Sequence, residues 1–351
     1  MTSKNDRNRS AAEESLTIAC SYVSSSRRVV PSPEYIDNIM EENILAKDQV
    51  HGDRIDQNTE RGNLERICSL NIASTTSLKK IQRRRKQKAV GELINSSGNI
   101  KDIVEAMRNN PDSSCIQKKG CRALCELSYH NVPNQALIRD VGGIDVILSA
   151  MNEYTFVLPV QIWACKALIN ISQKNAMNQA EVCDKKGITV ILQGMKEHFT
   201  NTDFQVMAFL ALGNICAEEK KNRAAIREAE VVLFFIVAGM KYHSKCSGLQ
   251  KAGCGLLANL SYQENMNKDL IVEAGGIEAI VIAMRAHPSD PTVFKFACAA
   301  LTNICRTEQG VALLKSNQGV GALLHCLRMF PRQCSKLAAP LLELLGPEET
   351  H

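Results

Sequence analysis

The sequence lacks the features that mark membrane proteins, secreted proteins and enzymes. Its apolar runs are short and carry small polar residues, so no transmembrane helix is predicted. The N-terminus has no apolar signal core, and Glu13 and Glu14 argue against a mitochondrial presequence. No GxSxG, P-loop, HExxH or Rossmann motif occurs, so we predict no enzyme, no cofactor and no small-molecule substrate. The net charge of +5 is too small to indicate a nucleic-acid binder by itself.

A hydrophobic pattern that repeats every 44 or 45 residues dominates the chain. Its clearest copies are CKALINIS, FLALGNIC, CGLLANLS and CAALTNIC, which begin at residues 165, 209, 254 and 298. One polar slot, which we call the ruler, marks the period: Glu126, Asn170, Asn214, Asn259 and Asn303. A methionine column has the same spacing: Met107, Met151, Met195, Met240 and Met284. A fixed period of this size predicts a solenoid of stacked helical units.

Each unit is predicted to hold three helices, the longest of which ends just after the ruler. Positions ten, six and two residues before the ruler, and the one after it, are apolar or small and fall on one helix face. The column two residues before the ruler is predicted core: Leu124, Leu168, Leu212, Leu257 and Leu301. The column six before it is predicted to lie closest to a neighbouring helix: Gly120, Ala164, Ala208, Gly253 and Ala297.

Caps and turns are predicted at recurring positions. One short helix is predicted to begin with N-caps at Asn134, Asn178, Asn222 and Asn267. Gly142–Gly143 and Gly275–Gly276 predict sharp turns, with single glycines at Gly187 and Gly319. Pro340 is predicted to break the last long helix and so to cap the stack.

These signals divide the chain into three parts. Residues 1–60 are predicted to be mostly disordered, with a possible short amphipathic helix at 35–46. Residues 61–97 form a degenerate first unit. The repeat domain then spans 98–347, divided into 98–141, 142–185, 186–230, 231–274, 275–317 and a truncated 318–347.

Cysteines are numerous but follow the repeat. Of the 14, Cys121, Cys165, Cys254 and Cys298 share one column, and Cys216 and Cys305 share another. We interpret them as small packing residues in a reducing compartment, which favours cytoplasm or nucleus. Cys121 and Cys125 lie one helical turn apart, but without a CxxC pair or histidine partner no metal site is predicted.

At this point the chain resembles the armadillo-repeat family. The resemblance covers about residues 90–347 and is carried by the A-L-x-N-I/L helix ends, N-x-x-x-I helix starts and G-G-I turns. It implies an all-α, right-handed armadillo-type solenoid that acts as a protein-interaction scaffold. It also implies a concave groove lined by the long helices, in which Asn170, Asn214, Asn259 and Asn303 contact an extended peptide.

The chemistry of these positions leaves two interpretations open. Asparagine offers a donor and an acceptor to a peptide backbone, but it can equally brace the ends of the long helices. Residues one and two turns earlier would line the groove too, and they include five cations: Lys118, Arg122, Lys166, Lys251 and Lys295. Such a groove favours a ligand with acidic residues flanking an apolar stretch. The alternative is a solvated face on which lysines serve solubility.

Other functions are weighed against this groove. Importin-α-like receptors carry tryptophans one turn before the asparagines, whereas Trp163, the single tryptophan, lies seven residues before Asn170. A nuclear-import receptor is therefore the less favoured interpretation. The run at 79–88 is strongly basic and predicts either an exposed basic helix or a functional segment. As a functional segment it would be a nuclear-localisation signal, a membrane-surface or nucleic-acid contact, or an autoinhibitory strip. Its cations are Lys79, Lys80, Arg83, Arg84, Arg85, Lys86 and Lys88. His198, His243 and His287 directly follow the methionine column and are interpreted as polar loop residues.

Overall fold

The computed structural model describes residue 85 and residues 87–94, 98–229 and 231–346. These residues form helices and short connections, without a β-strand in the described part. After a helical stretch at 87–94, the helices are α1 Ile100–Arg108, α2 Ser114–Ser128, α3 Val132–Asp140, α4 Gly143–Glu153, α5 Leu158–Ser172, α6 Ala176–Asp184, α7 Gly187–Glu197, α8 Thr202–Ile215, α9 Lys220–Glu228, α10 Val231–Tyr242, α11 Ser247–Ser261, α12 Asn265–Glu273, α13 Gly276–Ala286, α14 Pro291–Ile304, α15 Glu308–Ser316, α16 Gly319–Met329 and α17 Pro331–Leu345.

Helices of the same kind stack on one another and produce three layers. The long helices α2, α5, α8, α11, α14 and α17 pack in that order, and α1, α4, α7, α10, α13 and α16 form a second layer. The short helices α3, α6, α9 and α12 form the third. The predicted solenoid of three-helix units is therefore confirmed.

The core consists of the columns that the period identifies. All five leucines of the leucine column are fully buried, and the five methionines are at most 1% exposed. A Cβ added to Gly120 or Gly253 would overlap Met107 or Met240 respectively, which confirms that neighbouring helices approach closely at this column. One continuous core therefore runs along the stack.

Glycine at the start of the second-layer helices permits a close approach to the preceding helix. A Cβ on Gly143 or Gly276 would lie 2.8 Å from the carbonyl oxygen of Ile138 or Ile271 respectively. The residue before this glycine has a left-handed backbone, with φ of 76° at Gly142 and 60° at Lys186. Where only one glycine is present, it therefore occupies the close-approach position and a side-chain-bearing residue takes the left-handed one.

The predicted N-caps of the short helices are wrong. The helices begin earlier, with N-caps Asn131 and Asn175 in α3 and α6, whose side chains accept from the backbone N–H of Asn134 and Asn178. Asn178 is instead buried in the first turn and donates to the carbonyls of Ile171 and Gln135. Asn134, Asn222 and Asn267 make the equivalent bond to the end of the preceding long helix. These asparagines therefore join helices, because buried polar side chains must find partners.

Pro340 does not break the last long helix, contrary to the prediction. Helix α17 continues from Pro331 through Pro340 to Leu345. Pro340 lies on an exposed side of this helix. On this side water can also satisfy the backbone carbonyl that a proline leaves without its usual donor.

No helix in the described part of the chain is long and apolar enough to cross a lipid bilayer.

Candidate functional site

The ruler asparagines lie on the solvent side of the long-helix layer. We call this surface the long-helix face and define it by the ruler positions and the positions four and eight residues before them. Asn170, Asn214, Asn259 and Asn303 are each half-buried. They come from the four consecutive long helices α5, α8, α11 and α14, which place them in a row along the stack.

Each ruler asparagine braces its helix to the preceding long helix. The Nδ2 atoms of Asn170 and Asn214 donate to the carbonyl oxygens of Cys125 and Ile169, both at 2.9 Å. Asn259 and Asn303 donate to the carbonyls of Gly213 and Ala258, at 3.0 and 3.1 Å. Every acceptor is the residue directly before the preceding ruler residue. The Nδ2 atom of Asn170 also lies 3.3 Å from the Sγ atom of Cys125. The bracing interpretation thus describes the N–H side of each of these amides.

The remaining polar capacity of these amides stays on the solvent side. Among the described residues, no donor reaches the Oδ1 atoms of the four asparagines. A primary amide has two N–H groups and one carbonyl, so the Oδ1 of all four asparagines and one N–H each of Asn214, Asn259 and Asn303 remain for a ligand. Because the brace fixes the side chain, these groups are held in place before a ligand arrives.

The first end of the long-helix face combines cations with the single tryptophan. The guanidinium carbon of Arg122 lies 5.3 Å from the Trp163 ring centroid, and Lys166 Nζ lies 4.6 Å from it. Arg122 also pairs with Glu126 at 2.8 Å, but both side chains are more than half exposed and such a pair contributes little stability. Neither Lys118 nor Lys166 has a carboxylate partner among the described residues. The structure therefore brings together Arg122 and Lys166 around Trp163.

The later end of the face has fewer available cations. Lys251 Nζ lies 3.4 Å from a carboxylate oxygen of Asp290, the N-cap of α14. Burial raises the pKa of Asp290, but hydrogen bonds from the backbone of Thr292 and Val293 and the nearby Lys251 hold it below its usual value. Lys295 is exposed and lies 5.7 Å from the ring centroid of Phe296. The charge of Lys251 is thus balanced within the protein.

Apolar side chains separate these two ends. Ile162 and Val206 are half-buried, and Leu210 is 39% exposed. They occupy the same positions, four and eight residues before the ruler, that carry the cations elsewhere. The face therefore changes from basic to apolar along the stack.

Sequence reasoning missed a ladder of buried glutamines nine residues before the ruler. Each donates its Nε2 to two carbonyls at the end of the preceding second-layer helix; Gln161, for example, bonds Met151 at 2.6 Å and Tyr154 at 2.9 Å. The others are Gln117, Gln205 and Gln250. The signal was the 44- or 45-residue spacing of these glutamines, broken by Phe294 in the last copy.

The three histidines after the methionine column also brace adjacent units. His198, His243 and His287 place Nε2 within 2.8 Å of a backbone carbonyl in the preceding unit. The Nδ1 atom of His243 also lies 3.1 Å from the hydroxyl oxygen of Thr202. Burial lowers the pKa of His243 and outweighs the hydrogen bond to the Phe199 carbonyl, which raises it. These histidines therefore connect the loops of adjacent units.

The cysteine columns are buried thiols. The eleven cysteines whose side chains the structure describes form no disulfide bond. Burial raises the pKa of Cys121 to about 12 and that of Cys125 to about 11, so both are protonated and poor metal ligands at neutral pH. The described part of the chain holds no cluster of three metal-ligating side chains.

The basic run at 79–88 lies mostly outside the described residues, as do the predictions for residues 1–60 and 35–46. Arg85 and Lys88 are described and exposed, and Lys88 Nζ lies 3.9 Å from a Glu92 carboxylate oxygen. The structure does not bring these two cations to the long-helix face through any described contact.

Stacked three-helix units with an asparagine ladder on the long helices define an armadillo-type α-solenoid. A family model described as "LRRK2 ARM repeat" matches residues 139–320. Because this match covers more than half of the 351 residues, the chain belongs to that armadillo-repeat family. No curated protein matches the chain.

Solved structures show the same fold. An engineered protein superposes with a TM-score of 0.62 and 26% identity, covering 70% of this chain and 96% of its own. A designed armadillo repeat protein has a TM-score of 0.62 and 18% identity over 71% of this chain and all of its own. Another, in complex with the peptide (KR)4, has a TM-score of 0.61 and 17% identity with the same coverages. The last two identities are low enough that these likenesses concern the fold alone.

Proposed function

We propose that the protein is a non-enzymatic scaffold whose long-helix face binds an extended peptide with acidic residues beside an apolar stretch. The observation that carries this proposal is the row of four braced asparagines, each with its Oδ1 on the solvent side. Armadillo solenoids are typically binding scaffolds, and this face is the groove that the family resemblance implies. We expect cytoplasm or nucleus as the compartment, given the free thiols.

The asparagine row supplies contacts that do not depend on ligand sequence. Packed helices lie 8–10 Å apart, and an extended chain advances about 3.3 Å per residue. About three peptide residues therefore correspond to one asparagine. Each amide can receive a peptide N–H at Oδ1, and those of Asn214, Asn259 and Asn303 can also donate to a peptide carbonyl. Each such bond contributes a net of about 0.5–1.5 kcal/mol.

The side chains between the asparagines set the preference for acidic and apolar residues. Lys118, Arg122 and Lys166 attract carboxylates at the first end, and Val206 and Leu210 offer apolar contact beyond it. The designed armadillo protein noted above holds a Lys/Arg peptide. Cations on the long-helix face of the present chain repel such a ligand, so the preferred charge is the opposite one.

Peptide binding to the full chain tests this proposal. Three 14-residue peptides share one apolar centre and carry acidic, neutral or basic flanks, and binding is measured by fluorescence anisotropy. We expect affinity to fall from acidic to neutral to basic, by tenfold or more overall at low salt, and the difference to shrink as salt is added. Equal affinities for the three peptides contradict the proposed charge preference.

A double substitution separates backbone recognition from charge. Asn214→Ala with Asn259→Ala removes two pairs of backbone contacts, so we expect acidic-peptide affinity to fall about tenfold or more. The matched control is Asn109→Ala with Asn152→Ala, since both residues are exposed and lie away from the long helices. Circular dichroism confirms that each variant is helical. Unchanged affinity in the first variant means that the asparagines only brace the fold.

A nucleic-acid or membrane surface contact through the basic run is the alternative class. Neutralising Arg83, Arg84 and Arg85 together distinguishes it, because peptide binding then stays unchanged while nucleic-acid or vesicle binding is lost.

A further inference from the structure

The chain enters the solenoid beside the basic end of the long-helix face. Gly91, in the helical stretch 87–94, is buried and packs on α2, since a Cβ added to it would lie 2.5 Å from Lys119 Nζ. Lys119 is the neighbour of Lys118 on the same helix. Whatever precedes residue 85 is therefore tethered next to this end of the face.

That end carries a cationic surface on which Arg122 alone of the three cations has a described carboxylate partner, Glu126 at 2.8 Å. Arg122 and Lys166 flank the Trp163 ring, and Lys118 lies one turn before Arg122. No carboxylate in the described residues pairs with Lys118 or Lys166. The apolar side chains of Ile162 and Val206 come from α5 and α8, directly along the stack. A complementary occupant has several carboxylates alternating with apolar residues.

Residues 33–46 of the chain, PEYIDNIMEENILA, have this composition. The segment has four carboxylates, Glu34, Asp37, Glu41 and Glu42. It contains no lysine or arginine, and none occurs between Arg28 and Lys47. Tyr35, Ile36, Ile39, Met40, Ile44 and Leu45 are its large apolar residues. Its chemistry therefore matches both halves of the surface, the cations and the apolar stretch.

The connection is long enough for the two to meet. Forty residues, 47–86, separate the segment from the helical stretch. Even at the helical rise of 1.5 Å per residue, a connection of this length spans about 60 Å, whereas a 15-residue helix such as α2 is about 22 Å long. A tethered ligand also has an effective concentration in the millimolar range, so weak contacts suffice.

We infer that residues 33–46 occupy the basic first end of the long-helix face in the same molecule. Their carboxylates contact Lys118, Arg122 and Lys166, and their apolar side chains lie along Ile162 and Val206. This inference rests on the proposed peptide-binding function and adds its regulation: an external ligand must displace the segment. The intact chain therefore binds acidic peptides more weakly than the same face would without residues 33–46 on it.

Zero-length cross-linking with a carbodiimide tests the contact directly, because it joins only a carboxylate and an amine that touch. Peptide mapping by mass spectrometry of the full chain is expected to show links from residues 34–42 to Lys118 or Lys166. Lys221 and Asp184, 2.7 Å apart, provide an internal positive control, and the exposed Lys101 on α1 provides a negative one. The yield must not depend on protein concentration, since the contact is intramolecular.

A charge-neutralised full chain supplies the second measurement. Glu34→Gln, Asp37→Asn, Glu41→Gln and Glu42→Gln together should abolish these links and raise the affinity for a synthetic 33–46 peptide about tenfold over the unmodified chain. The matched control changes the same number of carboxylates in the tether: Asp48→Asn, Asp53→Asn, Asp56→Asn and Glu60→Gln. This control is expected to behave as the unmodified chain does.

The outcomes separate this inference from the proposed function. If the synthetic peptide binds both chains equally and no links form, occupation in cis is wrong while the peptide-binding face stands. If links join two molecules, the inference is also overturned. If links form but Asn214→Ala with Asn259→Ala leaves peptide affinity unchanged, the contact in cis stands and asparagine recognition fails.

Discussion

The two ends of the long-helix face share a scaffold but differ in charge. At both ends the ruler asparagine donates to the preceding long helix, at 2.9 Å for Asn170 and 3.1 Å for Asn303. At the first end Lys166 lies over Trp163 without a carboxylate partner in the described residues, whereas at the later end Lys251 pairs with Asp290. The repeated columns therefore build the solenoid, and the positions between them set the charge of its long-helix face.

The largest effect on stability is expected from a substitution in the buried leucine column. The comparison is with a substitution at a nearby position on the long-helix face. Leu212 is fully buried, whereas Leu210, two residues earlier on the same helix, is 39% exposed. Leu212→Ala should lower the free energy of unfolding by about 2–5 kcal/mol because it leaves a cavity. Leu210→Ala should change it by about 0.5 kcal/mol or less. Urea unfolding measures both, and similar losses would contradict the division between column and face.

The two lysines should differ in their contribution to ligand binding. Lys166→Gln is expected to lower the affinity for the acidic-flanked peptide about tenfold, since this cation has no described carboxylate partner. Lys251→Gln should weaken it about twofold or less, because Asp290 already balances that charge. Anisotropy titrations at low salt compare the two variants. An equal loss would mean that the ends of the face do not differ in available charge.

The asparagine braces should matter equally at the two ends. Asn170→Ala and Asn303→Ala each remove one hydrogen bond between long helices, so each should lower the free energy of unfolding by about 1 kcal/mol. Thermal and urea unfolding provide the measurement. A large difference between the two variants would show that the ladder is not a uniform part of the scaffold.

The smallest expected effect is on the pH dependence of the unfolding free energy. It concerns His243, which lies in the middle of the stack. Burial holds the pKa of His243 below its ordinary value of 6.5, so the folded state favours the neutral imidazole. The stability from this group is present above pH 6.5 and is lost as the pH falls below that value towards the folded pKa. His243→Gln keeps a donor for the Phe199 carbonyl, and its unfolding free energy should fall less between pH 7.5 and 5.5. An unchanged pH dependence would assign the effect to other groups.

Much of the scaffold was predictable from the sequence because helix columns are a local property. The spacing of the ruler and of the methionines predicted the solenoid, and the leucine column predicted the core. The residues of the long-helix face follow from the repeat spacing, but their pairing does not. The sequence did not indicate that Lys251 pairs with Asp290, or that Arg122 and Lys166 meet at one ring.

Two of the errors share one physical cause. The predicted N-cap at Asn178 and the missed ladder at Gln161 both concern polar side chains whose partners lie in another helix. Local rules assign an asparagine near a helix start to capping, but the N–H groups of a buried amide bond whichever carbonyls are within reach, here those of another helix. Gln161 was overlooked because a polar residue between apolar columns suggests exposure.

The sequence by itself determined the period, the helices and the buried columns of this protein, because hydrophobic periodicity acts within one helix. Only the tertiary structure decided which polar groups meet. The acceptors of the asparagine ladder lie 45 or 46 residues away, and the carbonyls that the histidines contact lie 43 or 44 residues away. Such contacts depend on how the units are rotated and offset in the stack, which the period does not specify.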